Sequence, residues 1–237
     1  MSGARVRQSI YRYLKRLRSV LGMQNSSIAY RESKAAIRRG QIPEKYKRLV
    51  DVIAGNRILE IGAAEGVLAL LLARKNKRVI ALERHKGRHA EALKLQSHWR
   101  AEGMDVDLCE MTLGDITDRF DLLQQVDTLV AVRMVYHLHE DIHRVFEECG
   151  KCVPCVVLCG NRWRARRYLQ PNDDPSNKTR QFDYYASSEG MVELLEASGY
   201  TIVKTVPSAD DLSQGLGEGD DPIVVGINRN LETHGQP

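Results

Sequence analysis

The sequence predicts a doubly wound α/β fold with a seven-stranded, mostly parallel sheet. From residue 57 on, short apolar runs alternate with helical stretches, which is typical of parallel strands joined by right-handed crossovers. The last two apolar runs are joined by a loop without a helix, so they predict a C-terminal antiparallel hairpin. Amphipathic basic stretches precede this region and predict an N-terminal helical extension.

The predicted elements follow one another in a regular order. Apolar residues at helical spacing, closed by Gly22, predict a first helix; a second ends at Gly40, and Pro43 opens a third that runs to residue 53. The predicted strands are residues 57–61, 78–83, 106–111, 127–132, 155–159, 200–206 and 223–228, and the predicted helices between them are residues 66–74, 87–102, 141–149 and 187–198.

Charge divides the chain into a basic arm and a mildly acidic body. The first 50 residues carry 13 Lys or Arg against two acids, a net charge of +11, whereas the remaining residues carry −7. We therefore assign residues 1–54 to a basic helical cap, 55–230 to the α/β core and 231–237 to a flexible tail. The basic arm predicts an anionic partner, which is a phosphorylated substrate, a membrane surface or nucleic acid.

Length and composition predict a cytoplasmic protein. The 237 residues, 43% of them hydrophobic, suit one soluble domain with an appendage, and the longest apolar run, residues 67–73, is far short of the roughly 20 residues of a membrane-spanning helix. Arginines stand where a secretory signal has its apolar core, and five cysteines predict reduced thiols rather than a disulfide framework. The first helix could also contact the inner face of a membrane through its basic side.

A nucleoside site is predicted at the ends of the first strands. Residues 58–66 read as a strand, a glycine-bearing turn and a helix start, which lets a ligand approach the backbone and meet free N–H groups. Glu83 ends the next strand, where a carboxylate can accept hydrogen bonds from ribose hydroxyls, and Asp115 follows the third strand. The alternative is that these are ordinary strand-end carboxylates, with Asp115 capping residues 116–120.

This segment resembles motif I of the class I S-adenosylmethionine (SAM)-dependent methyltransferases, an acid-x-Gly-x-Gly-x-Gly pattern after the first strand. Residues 55–229 are similar to the core of that family, including its closing antiparallel hairpin. Ala64 stands at the middle glycine position, a departure that SAM tolerates better than a dinucleotide does. The resemblance implies a Rossmann-like fold and SAM as the cofactor.

The resemblance also implies a set of cofactor-binding residues. The methionine part would lie against the turn, the ribose against the acid of strand two and the adenine amino group against the acid after strand three. The amino-terminal helices would cap the pocket, with Arg31 or Lys34 near the cofactor carboxylate. The residues implied are Glu60, Gly62, Ala64, Gly66, Glu83 and Asp115, and Arg31 is our further candidate for the carboxylate contact.

Histidines after the fourth strand are the candidates for catalysis. Methyl transfer to a hydroxyl needs a base to accept the proton. Residues 132–141 resemble the family stretch in which an apolar residue and one or two histidines precede an acidic helix start. His137 matches that histidine, and its imidazole is neutral near physiological pH. The other interpretation is that His137 only shapes the pocket, and His139 is then the second candidate.

Two patterns invite a metal hypothesis. His139 and His143 are one helical turn apart, near His137, but the spacing supplies no further ligand set. Four cysteines at residues 149, 152, 155 and 159 reproduce an iron–sulfur ligand spacing. Because residues 155–159 form an apolar strand, buried core cysteines are the simpler interpretation, and we predict no metal.

Arginines and aromatic residues around the end of strand five predict substrate contacts. Arginine makes bidentate contacts with phosphate or carboxylate, and aromatic rings stack on a sugar or base. The alternative is a solvated surface segment. The candidates are Tyr136, Arg162, Trp163, Arg164, Arg180 and Tyr184.

We therefore predict a SAM-dependent O-methyltransferase that acts on an anionic or polyhydroxylated substrate, such as a glycan or its lipid-linked precursor. The first alternative is an RNA methyltransferase, because the same basic residues would neutralise phosphates. The second is a SAM-binding regulatory module without catalysis.

Overall fold

The computed structural model describes Ile37 and residues 44–169, 178–206 and 221–232. Its sheet has seven strands in the order β3-β2-β1-β4-β5-β7-β6. These are β1 Arg57–Ile61, β2 Arg78–Glu83, β3 Cys109–Leu113, β4 Thr128–Val132, β5 Cys155–Cys159, β6 Thr201–Val206 and β7 Ile223–Ile227.

Six strands point the same way and β7 is reversed. Strands β1 to β5 pair in parallel, and β7 pairs antiparallel with both β5 and β6. The predicted fold class and the antiparallel C-terminal pair are confirmed. Parallel pairing brings the carboxyl ends of β1, β2 and β4 to one edge, with the order reversal between β1 and β4, where α/β folds bind ligands.

Helices cover both faces of the sheet. Alternate residues of the central strands face opposite sides, so Leu59 and Ile61 pack with Phe146 and Leu194 in one core cluster. The helices are α1 Glu44–Val52, α2 Val67–Ala73, α3 Lys86–Ala101, α4 Ile142–Cys152, α5 Arg162–Leu169, α6 Ser188–Ala197 and α7 Arg229–Glu232. Helices α1, α2 and α3 pack next to one another, and α4 packs against α6.

Two predicted boundaries differ from the structure by three residues, and one helix was not predicted. Strand β3 starts at Cys109 rather than residue 106, because its pairing with β2 begins at Val79. Helix α4 runs to Cys152, three residues beyond the prediction. Helix α5 was not predicted; the Asn161 carboxamide oxygen caps it by accepting from the N–H groups of residues 163 and 164, at 3.0 and 3.3 Å.

Of the three helices predicted in the N-terminal extension, the described residues include only the last. The third predicted helix corresponds to α1, which buries Leu49. The first two predicted helices, with Arg31 and Lys34, fall outside the described residues apart from Ile37. In the described ranges, no helix combines the length and the apolar character needed to span a membrane.

Candidate active site

A cavity of about 390 Å³ opens at the carboxyl ends of β1, β2 and β4. Its wall includes five of the residues proposed from the sequence, namely Gly62, Ala64, Glu83, Asp115 and His137. Glu60 and Gly66 are neighbours of wall residues rather than wall residues themselves. The predicted strand ends therefore converge, as parallel pairing requires.

The turn between β1 and α2 is left-handed at three positions. Gly62, Ala64 and Gly66 have φ values of 69°, 51° and 72°. A Cβ atom at Gly62 would collide with the Met134 side chain, and one at Gly66 would lie 2.6 Å from Met111 Cε. The positive φ favours glycine at the first and last positions, and lack of space favours it further at Gly62, whereas Ala64 accepts a conformation that L-residues adopt at a cost.

Glu60 is a buried acid just before this turn. Its side chain is 4% exposed, and its Oε2 has no hydrogen-bond partner within the described part of the chain. Burial raises the pKa of Glu60 to about 8, against the lowering effect of a backbone hydrogen bond at Ala69, and the charge of Glu83 adds to the rise. A buried oxygen without a partner marks a place for a donor group.

Glu83 ties the turn to the end of β2. The Ala64 N–H donates to Glu83 Oε2 at 2.8 Å, and the His85 N–H donates to Oε1 at 2.7 Å. These two bonds fix the carboxylate in the cavity wall. Each carboxylate oxygen can accept a second hydrogen bond, so the pair can also bind ligand hydroxyls.

Asp115 has the capping role that was the alternative interpretation, and it lies in the cavity wall as well. Its Oδ1 accepts from the Thr117 N–H at 3.2 Å and from the Thr117 hydroxyl at 3.1 Å. Its Oδ2 lies 3.4 Å from Arg84 Nη1. The two roles are compatible, because Oδ1 caps the segment and Oδ2 can accept a further hydrogen bond in the cavity wall.

His137 also lies in the cavity wall, in the 3-10 segment Val135–His137. Burial lowers its pKa, and the nearby charges of Arg164, Arg84, His139 and Arg88 lower it further. The imidazole is therefore neutral at physiological pH and stands in positive surroundings.

His139 is outside the cavity wall. Its ring stacks on Phe182 with a centroid distance of 5.3 Å, and its centroid is 6.5 Å from that of His137. It also has a φ of 50°, an uncommon value for a non-glycine residue. The geometry favours His137 over His139 as the residue that faces a bound ligand.

None of the six predicted substrate contacts belongs to the cavity wall. The Tyr136 hydroxyl accepts from Asn161 Nδ2 at 3.1 Å, and the Arg164 guanidinium lies 5.1 Å from the Tyr136 ring centroid. Arg164 also pairs with the buried Asp183 at 3.2 Å. Arg164 thus connects α5 to the segment that carries His137.

The other candidates differ in exposure. Arg162 is buried and lies 5.1 Å from the ring centroid of Trp163, which is 64% exposed. The Tyr184 hydroxyl donates to Glu193 at 2.7 Å, and Arg180 is half-buried. Trp163 therefore offers an exposed ring, whereas Tyr184 is held by its own hydrogen bond.

The wall also contains residues that sequence reasoning missed. The basic stretch directly after Glu83 was a signal that could have been used, because it follows a strand end. Arg133 carried the same signal, because it directly follows the predicted strand 127–132, whereas Tyr46 carried none. The missed polar residues are Tyr46, Arg84, His85, Arg88 and Arg133.

The histidines and cysteines that were considered as metal ligands make other contacts in the structure. His143 Nε2 is 2.9 Å from the Tyr185 hydroxyl. Cys149 and Cys159 are buried free thiols, and burial raises the pKa of Cys149 well above its usual value. Over the described residues, no group of three or more His, Cys, Asp or Glu side chains is arranged to hold a metal ion.

A family model described as a methyltransferase domain matches residues 35–205. The chain belongs to the methyltransferase-domain family. The matched region contains the turn, Glu83, Asp115 and His137 of the cavity wall. The cofactor of this methyltransferase is SAM, as the resemblance to class I enzymes implied.

Solved structures share this fold at low identity. A TehB-like SAM-dependent methyltransferase from Corynebacterium glutamicum has 14% identity and a TM-score of 0.55, over 87% of this chain and 99% of that one. The N-terminal domain of EvdMO1, in a structure with S-adenosylhomocysteine (SAH) and D-fucose, has 18% identity and a TM-score of 0.52, over 78% and 82%.

A protein of the NADB-Rossmann superfamily from Streptococcus agalactiae has 18% identity and a TM-score of 0.54, over 79% of this chain and 69% of that one. These likenesses confirm the Rossmann-like fold of the methyltransferase. No curated protein matches the sequence.

The residues of the methyltransferase cavity fit SAM. The left-handed turn at Gly62 leaves backbone exposed to a ligand, and the partnerless Oε2 of Glu60 lies directly behind it. Glu83 presents fixed carboxylate oxygens in the same wall. Donor and acceptor groups thus occur where a ligand with both an ammonium group and ribose hydroxyls would use them.

Proposed function

We propose that the chain is an O-methyltransferase whose acceptor is an anionic or polyhydroxylated molecule, such as a glycan or its lipid-linked precursor. The observation that carries the proposal is a neutral His137 in the wall of the cavity, among positive charges. A neutral imidazole can take the proton of an acceptor hydroxyl, and the positive surroundings favour an anionic acceptor.

The cofactor roles follow the resemblance residue by residue. In this proposal Glu83 accepts hydrogen bonds from the ribose, Asp115 contacts the adenine amino group, and Glu60 with the turn at Gly62 flanks the methionine part. When bound, SAM supplies a methyl group on a positively charged sulfur. Ala64 and Gly66 keep the turn in the left-handed conformation that brings the backbone to the ligand.

The acceptor side consists of groups from two directions. Arg84 and Arg88 lie in the cavity wall, and Arg164 approaches from α5. Guanidinium groups bind phosphate or carboxylate, so these three residues suit an acceptor with an anionic group near its reacting hydroxyl. Trp163, Arg162, Arg180 and Tyr184 remain predicted contacts for the more distant parts of such an acceptor.

The cytoplasmic location and the membrane contact of the basic arm remain predictions. A lipid-linked acceptor would be consistent with both predictions, because a cytoplasmic enzyme would meet its hydroxyls at a negatively charged membrane surface.

Substitution of His137 by Gln tests the proposal. We expect His137→Gln to lower methyl transfer to sugar phosphates or uronic acids by about 10²- to 10⁴-fold, because a general base contributes that much. SAH affinity, measured by calorimetry, should change little. The matched control is His98→Gln, an exposed histidine on α3, which should leave both quantities unchanged.

Other outcomes would contradict parts of the proposal. Full activity of His137→Gln would remove the base from the mechanism. SAH binding with no turnover on any acceptor would favour the regulatory module.

The RNA alternative has one observation in its favour, the exposed rings of Trp163 and Tyr168 on the arginine-rich helix α5. Aromatic rings beside arginines suit single-stranded RNA. Methylation of RNA but not of sugars, with binding that weakens steeply as salt rises, would support this function instead.

A further inference from the structure

Arg133 is held by a buried acid that lies 88 residues away in the sequence. Arg133 Nε donates to Asp221 Oδ2 at 2.6 Å, and Nη2 contacts the same oxygen. The Asp221 side chain is 8% exposed, and its Oδ1 accepts from the Arg162 N–H at 3.3 Å. Asp221 therefore fixes the guanidinium relative to β4 and to the start of α5.

The backbone of Arg133 is also constrained. Its φ is 53°, an uncommon value for a non-glycine residue, and its N–H donates to the Cys159 carbonyl at 2.7 Å. Such a conformation has an energetic cost and tends to occur where function requires a particular side-chain direction. Here it turns the chain out of β4 and brings the Arg133 side chain into the cavity wall.

Arg133 lies at the end of the cavity that carries the β1 turn. Gly62, Tyr46 and Met134 belong to the same wall, and the side chain of Met134, the next residue in the chain, lies against Gly62. The pKa of Tyr46 is raised by burial and by the charge of Glu60, and lowered by the charge of Arg133. The Tyr46 hydroxyl is thus close to the charges of both Glu60 and Arg133. An acid and a guanidinium are therefore present at the end of the cavity that carries the β1 turn.

The amino-acid part of SAM carries an ammonium group and a carboxylate. We propose that Arg133 binds this carboxylate, with Asp221 as the residue that positions the guanidinium. Neither bond to Asp221 uses Nη1, so its two N–H groups can donate to a ligand carboxylate, a partner that a guanidinium binds well. The sequence pointed to Arg31 or Lys34 for this contact.

This inference rests on the cofactor and not on the nature of the acceptor. It can therefore be tested by binding alone, with two ligands that differ by one group. SAH has the carboxylate, and S-adenosyl-3-thiopropylamine lacks only that carboxylate. The ratio of their Kd values measures what the carboxylate contributes.

We expect wild-type protein to bind SAH about 10- to 100-fold more tightly than the decarboxylated ligand, the range for a hydrogen bond to a charged group. In Arg133→Ala this ratio should fall to near one, because only SAH loses a contact. The control Arg84→Ala removes the guanidinium beside Asp115, so it should affect both ligands alike and preserve the ratio.

Asp221→Asn should reduce the ratio in part, because Arg133 is then less firmly held. Removing Arg133 alone leaves a buried acid without its partner, so the double variant Arg133→Ala with Asp221→Asn provides a folded alternative. A ratio that stays at its wild-type value in either Arg133 variant would overturn the proposal. So would a failure of wild-type protein to discriminate between the two ligands, and absence of SAH binding would overturn the cofactor assignment with it.

Discussion

Glu60 illustrates what burial does to a single residue in this protein. Its side chain is 4% exposed and has a pKa of about 8, so in the folded protein without cofactor it is mostly protonated at neutral pH. In the unfolded chain the same group ionises near its ordinary pKa of about 4.5. Folding therefore binds a proton over the interval between these two values.

A pH dependence of stability follows. The folded pKa is raised, so the unfolding free energy should fall as pH rises from about 5 to 8, by up to about 1.4 kcal/mol per pH unit. Glu60→Gln stays neutral and should lack this fall, so it should gain stability relative to wild type as pH rises. Urea unfolding at several pH values without cofactor measures the difference.

The exposed acid Glu102 supplies the control for this measurement. Glu102→Gln should follow the wild-type pH curve. If the curves of wild type and Glu60→Gln run parallel, Glu60 is not protonated in the folded state, and burial does not raise its pKa as described.

At the scale of elements, α5 and the 3-10 segment Lys178–Ala186 act on the site through one ion pair. Asp183 on this segment is 1% exposed and holds Arg164 of α5, whose guanidinium lies over Tyr136. Tyr136 precedes His137 with a ring distance of 4.5 Å. Two elements outside the cavity wall thereby set the charge around the candidate base.

Replacing Arg164 by Gln should raise the pKa of His137, since the Arg164 charge is among the causes that lower it. A base must be neutral to act, so the acidic limb of the pH–rate profile should move to higher pH. An NMR titration of the His137 ring measures the shift directly. To avoid an unpaired buried acid, Asp183→Asn should accompany the change.

Arg74→Gln is the matched control, because Arg74 lies over Trp99 on α3, with its guanidinium 5.8 Å from the ring centroid. This variant should leave the His137 titration unchanged. An unchanged titration in the Arg164 variant as well would mean that burial alone lowers the pKa of His137.

At the scale of the whole molecule, the carboxyl ends of the parallel strands form the cavity, and the amino ends of β5 and β6 contribute to stability. The cavity lies at the carboxyl ends of the parallel strands, whereas Tyr200 lies just before β6, where its hydroxyl donates to the carbonyl of Val153 at 2.9 Å, before β5. Both residues are buried. The hydrogen bond thus connects the antiparallel pair to the parallel part of the sheet.

Tyr200→Phe should therefore lower stability without affecting the site. Loss of this buried hydrogen bond should reduce the unfolding free energy by about 1 to 3 kcal/mol, since the Val153 carbonyl loses its partner. SAH affinity should be unchanged. Denaturant unfolding and calorimetry check the two parts, and a parallel loss of affinity would show that the two ends of the sheet are coupled.

Much of the fold could be predicted because its signals are local. Apolar runs such as that of Cys155–Cys159 and glycines such as Gly62 and Gly66 act through neighbours in the chain. Helix α5 was missed because Arg, Trp and Tyr alternate there without a clear apolar face. The capping oxygen of Asn161 was the signal that could have located its start.

The sequence by itself determined the order of strands and helices, the turn residues and the family, since each depends on short-range spacing and on residue type. Only the tertiary structure decided that Arg133 meets Asp221, that Arg164 meets Asp183, and that His137 rather than His139 faces the cavity. Those pairings join residues from separate elements, and their partners are selected by strand register and burial. The spacing of residue types along the sequence does not indicate which residues of separate elements come into contact.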